Sequence, residues 1–495
     1  MSNNVKKIEQ WIEKNNSKQY VEYYSTFIDT NNKFKSKTDK ELDDILNMIR
    51  KVDIRLFLHC EKRHICEYNI ESIFLIAIRL SSYFKRNIKL VEVNCKKNKV
   101  KKIALYKNKE LTSKTELFFS LTFKDIVGRS IESRVERLFS YKYINKKLLK
   151  LDRMHSESLE LYSKKTDYVS DMAVSTFERK EQKNKEYLES KTVFLDDDNE
   201  MSLYDILNMS KQHRVSEIYN VSKQMSNMAL EQNKNWLMIT ITAPSKFHIN
   251  PSKGHNSFDL NLSAKDSDTF ITDVYRAAYK ELSKKKYDFF GVWCKEPHRS
   301  GAVHMHCLLY INDFDKEMIK HIFTKHSKNA FNKHESKFIN DVSINFVEED
   351  KEKGGSGSSY IFKYIMKTLG CDEYVSKDGR KIEIEQSKRI SSHMSTYAYK
   401  RYSFIKINNK LSSWRAARKI VKSMKYETNK NDFTLEIQKV FDCVLNNDYM
   451  KFSKMNIKCN YEISNINDYN EDVYEISNFE IVDCVTFTRK RYIVI

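Results

Sequence analysis

An α+β fold built around a mainly antiparallel sheet is the class this sequence predicts, and three observations carry it. Residues 236–242, 289–296, 303–311 and 342–347 are β-branched, aromatic and apolar runs of strand length. Helical periodicity lies between them, from 272 to about 285 and from 315 to about 328. The second and third runs are joined by a short connection, which makes them a hairpin, and a hairpin fixes antiparallel pairing. Strands interleaved with helices and closed by one hairpin predict a palm-like sheet flanked by helices.

The rest of the chain is organised around that segment. Residues 1–130 read as an accessory α/β or helical domain, charged and helix-favouring up to about 55 and mixed beyond it. Residues 131–235 are highly charged and free of proline, the pattern of long solvent-facing helices, and read as a helical connector. Residues 236–425 hold the strand-helix pattern. A small accessory region, 426–495, carries a helix from about 433 to 444 and ends in a β-like run at 484–488. All three prolines and eight of the nine glycines fall between 244 and 379, so tight turns and close backbone approaches are concentrated there.

With 87 Lys and Arg against 67 Asp and Glu, the chain of 495 residues has a formal charge of +20. That balance suits a polyanionic partner, nucleic acid first, better than an acidic small substrate. Heavy use of Lys, Asn, Ile and Tyr contributes to the same charge by coding bias alone. The start, Met-Ser-Asn-Asn-Val-Lys-Lys, leads into a charged amphipathic stretch with no apolar core of a leader, and no later run has the length to cross a bilayer. A protein of the cytoplasm without membrane contact is expected. Nine cysteines lie scattered without framework spacing and are expected to be reduced thiols. His59, Cys60, His64 and Cys66 cluster, but too tightly for a common zinc finger or ribbon.

Chemistry concentrates in two places. His304 and His306 are two apart on a strand and project from one face. Glu296 and His298 share the alternation of the preceding strand, so either can reach across the hairpin as a third ligand to a metal that keeps open positions for a phosphate oxygen. Glu296 is preferred, because a carboxylate adds the hard oxygen that suits Mg²⁺ or Mn²⁺. Tyr360 and Tyr364 lie four apart in a helical segment, which puts their hydroxyls one turn apart on one side. They follow Gly354-Gly355-Ser356-Gly357-Ser358-Ser359, a flexible stretch that lacks the Gly-Lys-Ser/Thr ending of a phosphate-binding loop. Lys363 and Lys367 recur on an adjacent face and can neutralise phosphate charge. Brought together, a metal-ligating strand pair and a tyrosine pair make a nuclease.

The order of Ile239-Thr240-Ile241-Thr242-Ala243-Pro244-Ser245-Lys246-Phe247-His248, then Glu296-Pro297-His298-x5-His304-x-His306, then Tyr360-x3-Tyr364-x2-Lys367 resembles the HUH endonucleases. Among them it is most similar to the bacteriophage replication gene A proteins, the rolling-circle initiators of P2-like phages. Ser413-Trp414-Arg415 resembles the Trp-Arg element that follows in that family, so the resemblance covers about 236–420. The chain departs from the family pattern in Ala243, where Cys is usual. It departs again in Arg299-Ser300-Gly301-Ala302-Val303, which replaces an Asp-Gly-Thr-Pro turn, and in Met305, which replaces Trp.

The resemblance implies an HUH palm with a ferredoxin-like or RRM-like sheet. It implies a metal-dependent, site-specific DNA strand endonuclease and strand transferase that starts rolling-circle replication. Tyr360 or Tyr364 would attack the scissile phosphate, leaving a 5′-phosphotyrosine and a free 3′-OH primer, with the metal on His304, His306 and Glu296. The expected partners are single-stranded or extruded origin DNA, a host helicase and the replication machinery, in the cytoplasm of a bacterium carrying the phage or prophage. Two alternatives share the residues: a two-tyrosine transposase or plasmid relaxase, and a non-catalytic nucleic-acid-binding protein whose histidines and tyrosines serve packing and base stacking.

Overall fold

The computed structural model describes residues 65–66, 70–95, 99–112, 116–118, 121–122, 130–196, 199–251, 255–332, 344–349, 356–369, 384–423, 435–455, 457–469 and 471–481. The expectations for 1–55, for His59, Cys60 and His64, for Gly354 and Gly355, and for 484–488 fall outside those residues. The chain divides into two compact units, 1–155 with 465–473, and 156–464 with 474–495.

In the first unit, helix α1 (Ile70–Asn87) leads into strands β1 (Ile88–Cys95), β2 (Lys99–Tyr106) and β3 (Lys109–Glu110), an antiparallel sheet in that order. Ile73, Ile76, Ala77, Leu80 and Phe84 recur at helical spacing on α1 and meet Val135 and Leu138 of α2 (Ile131–Phe139) in one core. Arg137 sits in a buried fork, with Nη1 and Nη2 donating to the two carboxylate oxygens of Glu471 at 3.1 and 2.6 Å. Its guanidinium lies 4.4 Å from the centre of the Tyr469 ring. The boundary between the units falls inside helix α3 (Tyr141–Lys164).

The second unit is built on helices α4 (Asp171–Glu189) and α5 (Leu203–Glu231) and on a five-stranded sheet. Its strands are β6 (Asn235–Ile241), β7 (Phe289–Pro297), β8 (Val303–Ile311), β9 (Ile344–Glu348) and β10 (Tyr402–Ile405). They lie in the order β9-β6-β8-β7-β10, and every neighbour is antiparallel. Helices α6 (Ala264–Lys284), α7 (Lys316–Asn332), α8 (Gly357–Leu369), α9 (Ile384–Tyr397), α10 (Asn408–Ser423), α11 (Leu435–Leu445) and α12 (Tyr449–Lys454) complete it. The predicted antiparallel sheet with flanking helices is therefore present.

Both faces of the sheet are covered, which is why Phe289–Cys294 of β7 and Cys307–Ile311 of β8 read as unbroken apolar runs rather than as alternating ones. On one face Trp236, Met238, Phe290, Val292, Leu308, Tyr310 and Phe404 pack with Ile361, Ile365 and Met366 of α8. Ile218 and Val221 of α5 and Val440 and Phe441 of α11 join the same core. Helices read from sequence as solvent-facing or accessory are thus partly structural: α4 buries no side chain, whereas α5 buries six. On the other face α6 packs through Tyr275 on Trp293 and Tyr279 on Phe289, with ring centroids 6.1 and 5.8 Å apart. Lys295 reaches across to a buried ion pair with Asp268 and donates to Thr272 Oγ1 at 2.6 Å.

Helix α6 begins eight residues before the predicted start at 272, because Asp266 accepts from Ser263 N and Oγ at 2.9 and 2.8 Å and closes an N-terminal cap upstream of the apolar stripe. A two-stranded hairpin of β4 (Thr192–Asp196) and β5 (Asn199–Ser202) interrupts the region expected to be helical between 131 and 235.

Candidate active site

Strand alternation sends Glu296 of β7 and His304 and His306 of β8 to the face that carries α8, and Lys295, Met305 and Cys307 to the other. Register then sets the neighbours. His304 pairs directly with Glu296, and His306 lies between Cys294 on one side and Thr240 of β6 on the other. Glu296 Oε1 is 3.1 Å from His306 Nε2, and Thr240 Oγ1 is 3.0 Å from His306 Nδ1, so both nitrogens of that imidazole are held.

The hairpin between the two strands is closed by His298 N–H to Ala302 O at 2.7 Å and Gly301 N–H to His298 O at 2.9 Å. Gly301 adopts φ +82°, a conformation that disfavours any side chain, and a Cβ there would also meet Leu161 Cδ2 at 2.7 Å. His393 of α9 donates Nε2–H to the Gly301 carbonyl at 3.0 Å and receives the Tyr399 hydroxyl on Nδ1, also at 3.0 Å. Burial pushes the His393 imidazole down to about 4. Ser300 Oγ takes hold of His298 Nδ1 at 2.8 Å and of His248 Nδ1 at 2.7 Å, while His248 Nε2–H donates to Ala243 O at 3.1 Å. The turn that replaces the family's pattern thus ties His298 to His248, the last residue of the first motif.

Helix α8 presents two sides. Ile361, Phe362, Ile365 and Met366 are buried in the core, and Tyr360, Tyr364 and Lys367 follow each other along the side that faces β8 and β7. The Tyr364 ring stacks on the His306 ring with centroids 3.9 Å apart, and the Tyr364 hydroxyl points at the Tyr360 hydroxyl at 3.5 Å. Tyr360 is 40% exposed and stacks on Trp236, 6.2 Å between centroids. Gly357, at the start of the helix, is what allows this approach, since a Cβ there would lie 2.8 Å from Trp236 Cγ. Lys367 Nζ stands 3.9 Å from Glu296 Oε2 and 5.5 Å from the Tyr364 ring centre, whereas Lys363 faces solvent. The structure therefore brings Glu296, His304, His306, Tyr360, Tyr364 and Lys367 together, holds His298 beside them at the turn, and leaves Lys363 outside.

Electrostatics at the site are set by burial. His304 is pushed down to about 3 by burial, so it is neutral at physiological pH, and its Nδ1 is buried with no hydrogen-bond partner among the described residues. A buried orphan of this kind costs about 1–3 kcal/mol and calls for an absent partner. Burial raises the Glu296 carboxyl, but the bond from His306 and the nearby His306, Lys367 and His304 outweigh it and hold the group below its ordinary range. Burial, the Tyr360 hydroxyl and the Glu296 carboxylate push the Tyr364 phenol well up.

Among the described residues no three His, Cys, Asp or Glu side chains converge closely enough to hold a metal ion as they stand. The donor set and the spacing of one pair nonetheless suit one. Two ligands of an octahedral Mg²⁺-like ion with bonds of about 2.1 Å lie about 3 Å apart, and Glu296 Oε1 and His306 Nε2 are 3.1 Å apart. His304, whose Nδ1 lacks a partner among the described residues, lies on the same face with its ring centre 5.6 Å from that of His306.

Sequence reasoning missed Thr240, Trp236, Ser300 and His393. Thr240 and Trp236 share the strand parity of the site face, but which parity faces α8 depends on register, which the sequence does not display. Among the described residues no helix is long and apolar enough to cross a membrane.

Over 312 residues the chain is 22% identical to the replication protein of Haemophilus phage HP1, covering 60% of this chain and 39% of that protein. It is 26% identical over 256 residues to a probable replication endonuclease from a prophage-like region of Escherichia coli O6:H1, covering 50% of this chain and 32% of the other. Probable replication protein P12 of Pseudoalteromonas phage PM2 is 26% identical over 257 residues, 50% of this chain and 39% of the relative. The chain thus spans a third to two fifths of the length of these relatives. The profile of the bacteriophage replication gene A protein (GPA) family matches residues 121–372, which include β6, β7, β8 and α8, and with just over half of its length matched the chain belongs to that family.

Proposed function

We propose that the chain is a site-specific, divalent-metal-dependent single-strand DNA endonuclease and strand transferase of the HUH type, and that it initiates rolling-circle replication. In this reading the five-stranded sheet is the palm. The observation that carries it is the seating of Tyr364 on His306, with Glu296 bonded to the same imidazole. A phenol, an imidazole pair and a carboxylate meet on one sheet face with a lysine beside them.

Glu296, His304 and His306 are the residues that would hold Mg²⁺ or Mn²⁺, with His298 restrained by Ser300 at the turn. When bound, the ion supplies Lewis-acid stabilisation of the charge that develops on the scissile phosphate. Thr240 holds His306 Nδ1 and so keeps Nε2 directed at Glu296. Tyr364 Oη attacks phosphorus in line, the O–P bond forms and the P–O3′ bond breaks, so a 5′-phosphotyrosine and a 3′ oxygen result. The 3′ oxygen takes up a proton and the phenol gives one up along the Tyr364-to-Tyr360 contact toward solvent. Lys367, near both the phenol and Glu296, favours the phenolate electrostatically. Tyr360, more exposed, would cut the regenerated site after one round, and attack of the released 3′-OH on the first linkage would then close a circle. The phosphodiester bond energy is conserved, so joining needs no nucleoside triphosphate. The strand must be single-stranded or extruded to reach a half-buried phenol, and a host helicase would supply it.

The test is an SDS-resistant protein-DNA adduct, formed with Mn²⁺ on a labelled single-stranded library. Loss of the adduct in Tyr360→Phe/Tyr364→Phe and in His304→Ala supports the reading. DNA bound equally well in EDTA, with no adduct in the unaltered chain, would replace it with a non-catalytic binding protein.

A further inference from the structure

A cavity of about 390 Å³ opens at the β10 edge of the sheet, lined by Arg214 of α5, Leu369 at the end of α8, Lys400, Arg401 and Tyr402 at the start of β10, and Arg415 of α10. Its position is set by register. Tyr402 pairs with Cys294, Cys294 with His306 and His306 with Thr240, so these four residues form one row across the sheet and share a face. With strands about 4.8 Å apart, the cavity starts roughly 10 Å from His306, at the end of the helix that carries both tyrosines.

Its cations are held in place. Arg415 gives Nε and Nη2 to Glu217 at 2.7 to 3.2 Å, which leaves the Nη1 side without a partner among the described residues. Arg214 Nε donates to the Tyr402 hydroxyl at 3.2 Å, with its guanidinium 5.9 Å from the ring centre. Arg401 Nη1 donates to Thr368 O at 3.1 Å, and Lys400 Nζ to Ser403 Oγ at 2.9 Å. Side chains tethered at one end lose less freedom when the other end meets a ligand, and guanidinium forks match phosphate oxygens. The Ser413-Trp414-Arg415 element finds its place here. Trp414 is buried against Tyr449 and Phe452, with centroids 5.5 and 5.0 Å away, which fixes the rotation of α10 and aims the next residue, Arg415, at the cavity.

We propose that this cavity binds a phosphodiester of the DNA strand, a nucleotide or two away from the phosphate seated at Tyr364, and so sets the register in which the strand is cut. The placement rests on the nuclease reading, but the binding does not. Full-length protein is titrated with a fluorescein-labelled single-stranded oligonucleotide of mixed sequence in EDTA at several salt concentrations, as wild type, Arg214→Gln/Lys400→Gln and Arg415→Lys. Adduct formation with Mn²⁺ is scored separately. Each lost strand phosphate contact lowers the salt slope by about 0.7, so the double variant should bind about five- to tenfold more weakly, with a slope smaller by about 1.4. Arg415→Lys should keep the slope and lose part of the affinity, since charge is kept and the fork is not.

An unchanged slope and affinity in a double variant with unaltered circular dichroism would overturn the proposal. So would millimolar thymidine monophosphate or inorganic phosphate binding to wild type and not to the double variant while the oligonucleotide binds both equally well, because the cavity would then be a site for a free phosphate. If the slope falls while no variant or wild-type adduct ever forms, the cavity stands and the nuclease reading fails.

Discussion

The Tyr364 ring lies over the His306 imidazole, 3.9 Å between centroids and 23° from parallel, while the Tyr364 hydroxyl is directed at Tyr360. The two tyrosines are therefore not equivalent. One is half-buried against the histidine pair, and the other is stacked on Trp236 and open to solvent.

Tyr364→Phe should abolish first-strand cleavage, a loss of roughly 10³-fold or more as expected for a missing nucleophile. Tyr360→Phe should still form the first adduct and fail in the second transfer. Trapping the adduct on a linear strand, and scoring rejoined product on a two-site strand, separates the two steps. Equal adduct loss in both variants would contradict this division of labour.

The orphaned His304 Nδ1 ties metal binding to stability. Mn²⁺ should raise the melting temperature of the full chain, because a ligand that binds only the folded state stabilises it by RT ln(1 + L/Kd), where L is the free ligand concentration. His304→Leu should remove that rise and leave the metal-free protein as stable as wild type or up to about 1–3 kcal/mol more stable, since the unpartnered polar atom is gone. Glu296→Gln should weaken Mn²⁺ binding at least roughly tenfold, read by calorimetry rather than by activity.

Gly357→Ala should push α8 off β6, since the added Cβ would lie 2.8 Å from Trp236 Cγ. A destabilisation of about 1–3 kcal/mol is expected from overpacking, together with slower adduct formation because the phenols move with the helix. Urea unfolding and single-turnover cleavage measure the two effects.

Glu157 makes one part of the stability pH-dependent. It is buried, accepts from Ser170 N and Oγ at 2.7 and 2.6 Å, and is pushed up from 4.5 to about 7 by burial, against those two bonds. The folded state binds the proton more tightly than the unfolded one. Between about 4.5 and 7 it therefore holds more protons, and stability falls as pH rises through that window. Glu157→Gln should flatten this slope, an effect on the order of 1–3 kcal/mol across the window. Unfolding curves at pH 5 and pH 7.5, compared between the two proteins, give the sign directly.

Much of the site could be read from spacing alone. A two-residue period on a strand suffices to put His304 and His306 on one face, and a four-residue step on a helix suffices for Tyr360 and Tyr364, because these periods are properties of the backbone. The bounds of β8, the antiparallel hairpin and the presence of α6, α7 and α8 followed from the same local rules. Local rules also named Lys363 and Lys367 together, but packing admits only Lys367, since the rotation of α8 is set by Ile361 and Ile365 against the sheet.

What tertiary structure alone decided are the relations between segments distant in sequence. Thr240 meets His306 through strand register, and His393 reaches Gly301 from a helix more than ninety residues later. The arginines of the β10 cavity come from α5, from the residue before β10 and from α10, and the apolar stripe of α5 belongs to the same core as the sheet. A sequence displays the periodicity of each element because that is fixed by bonds between near neighbours. It does not display which faces meet, because that depends on burying the total apolar surface of all the elements at once.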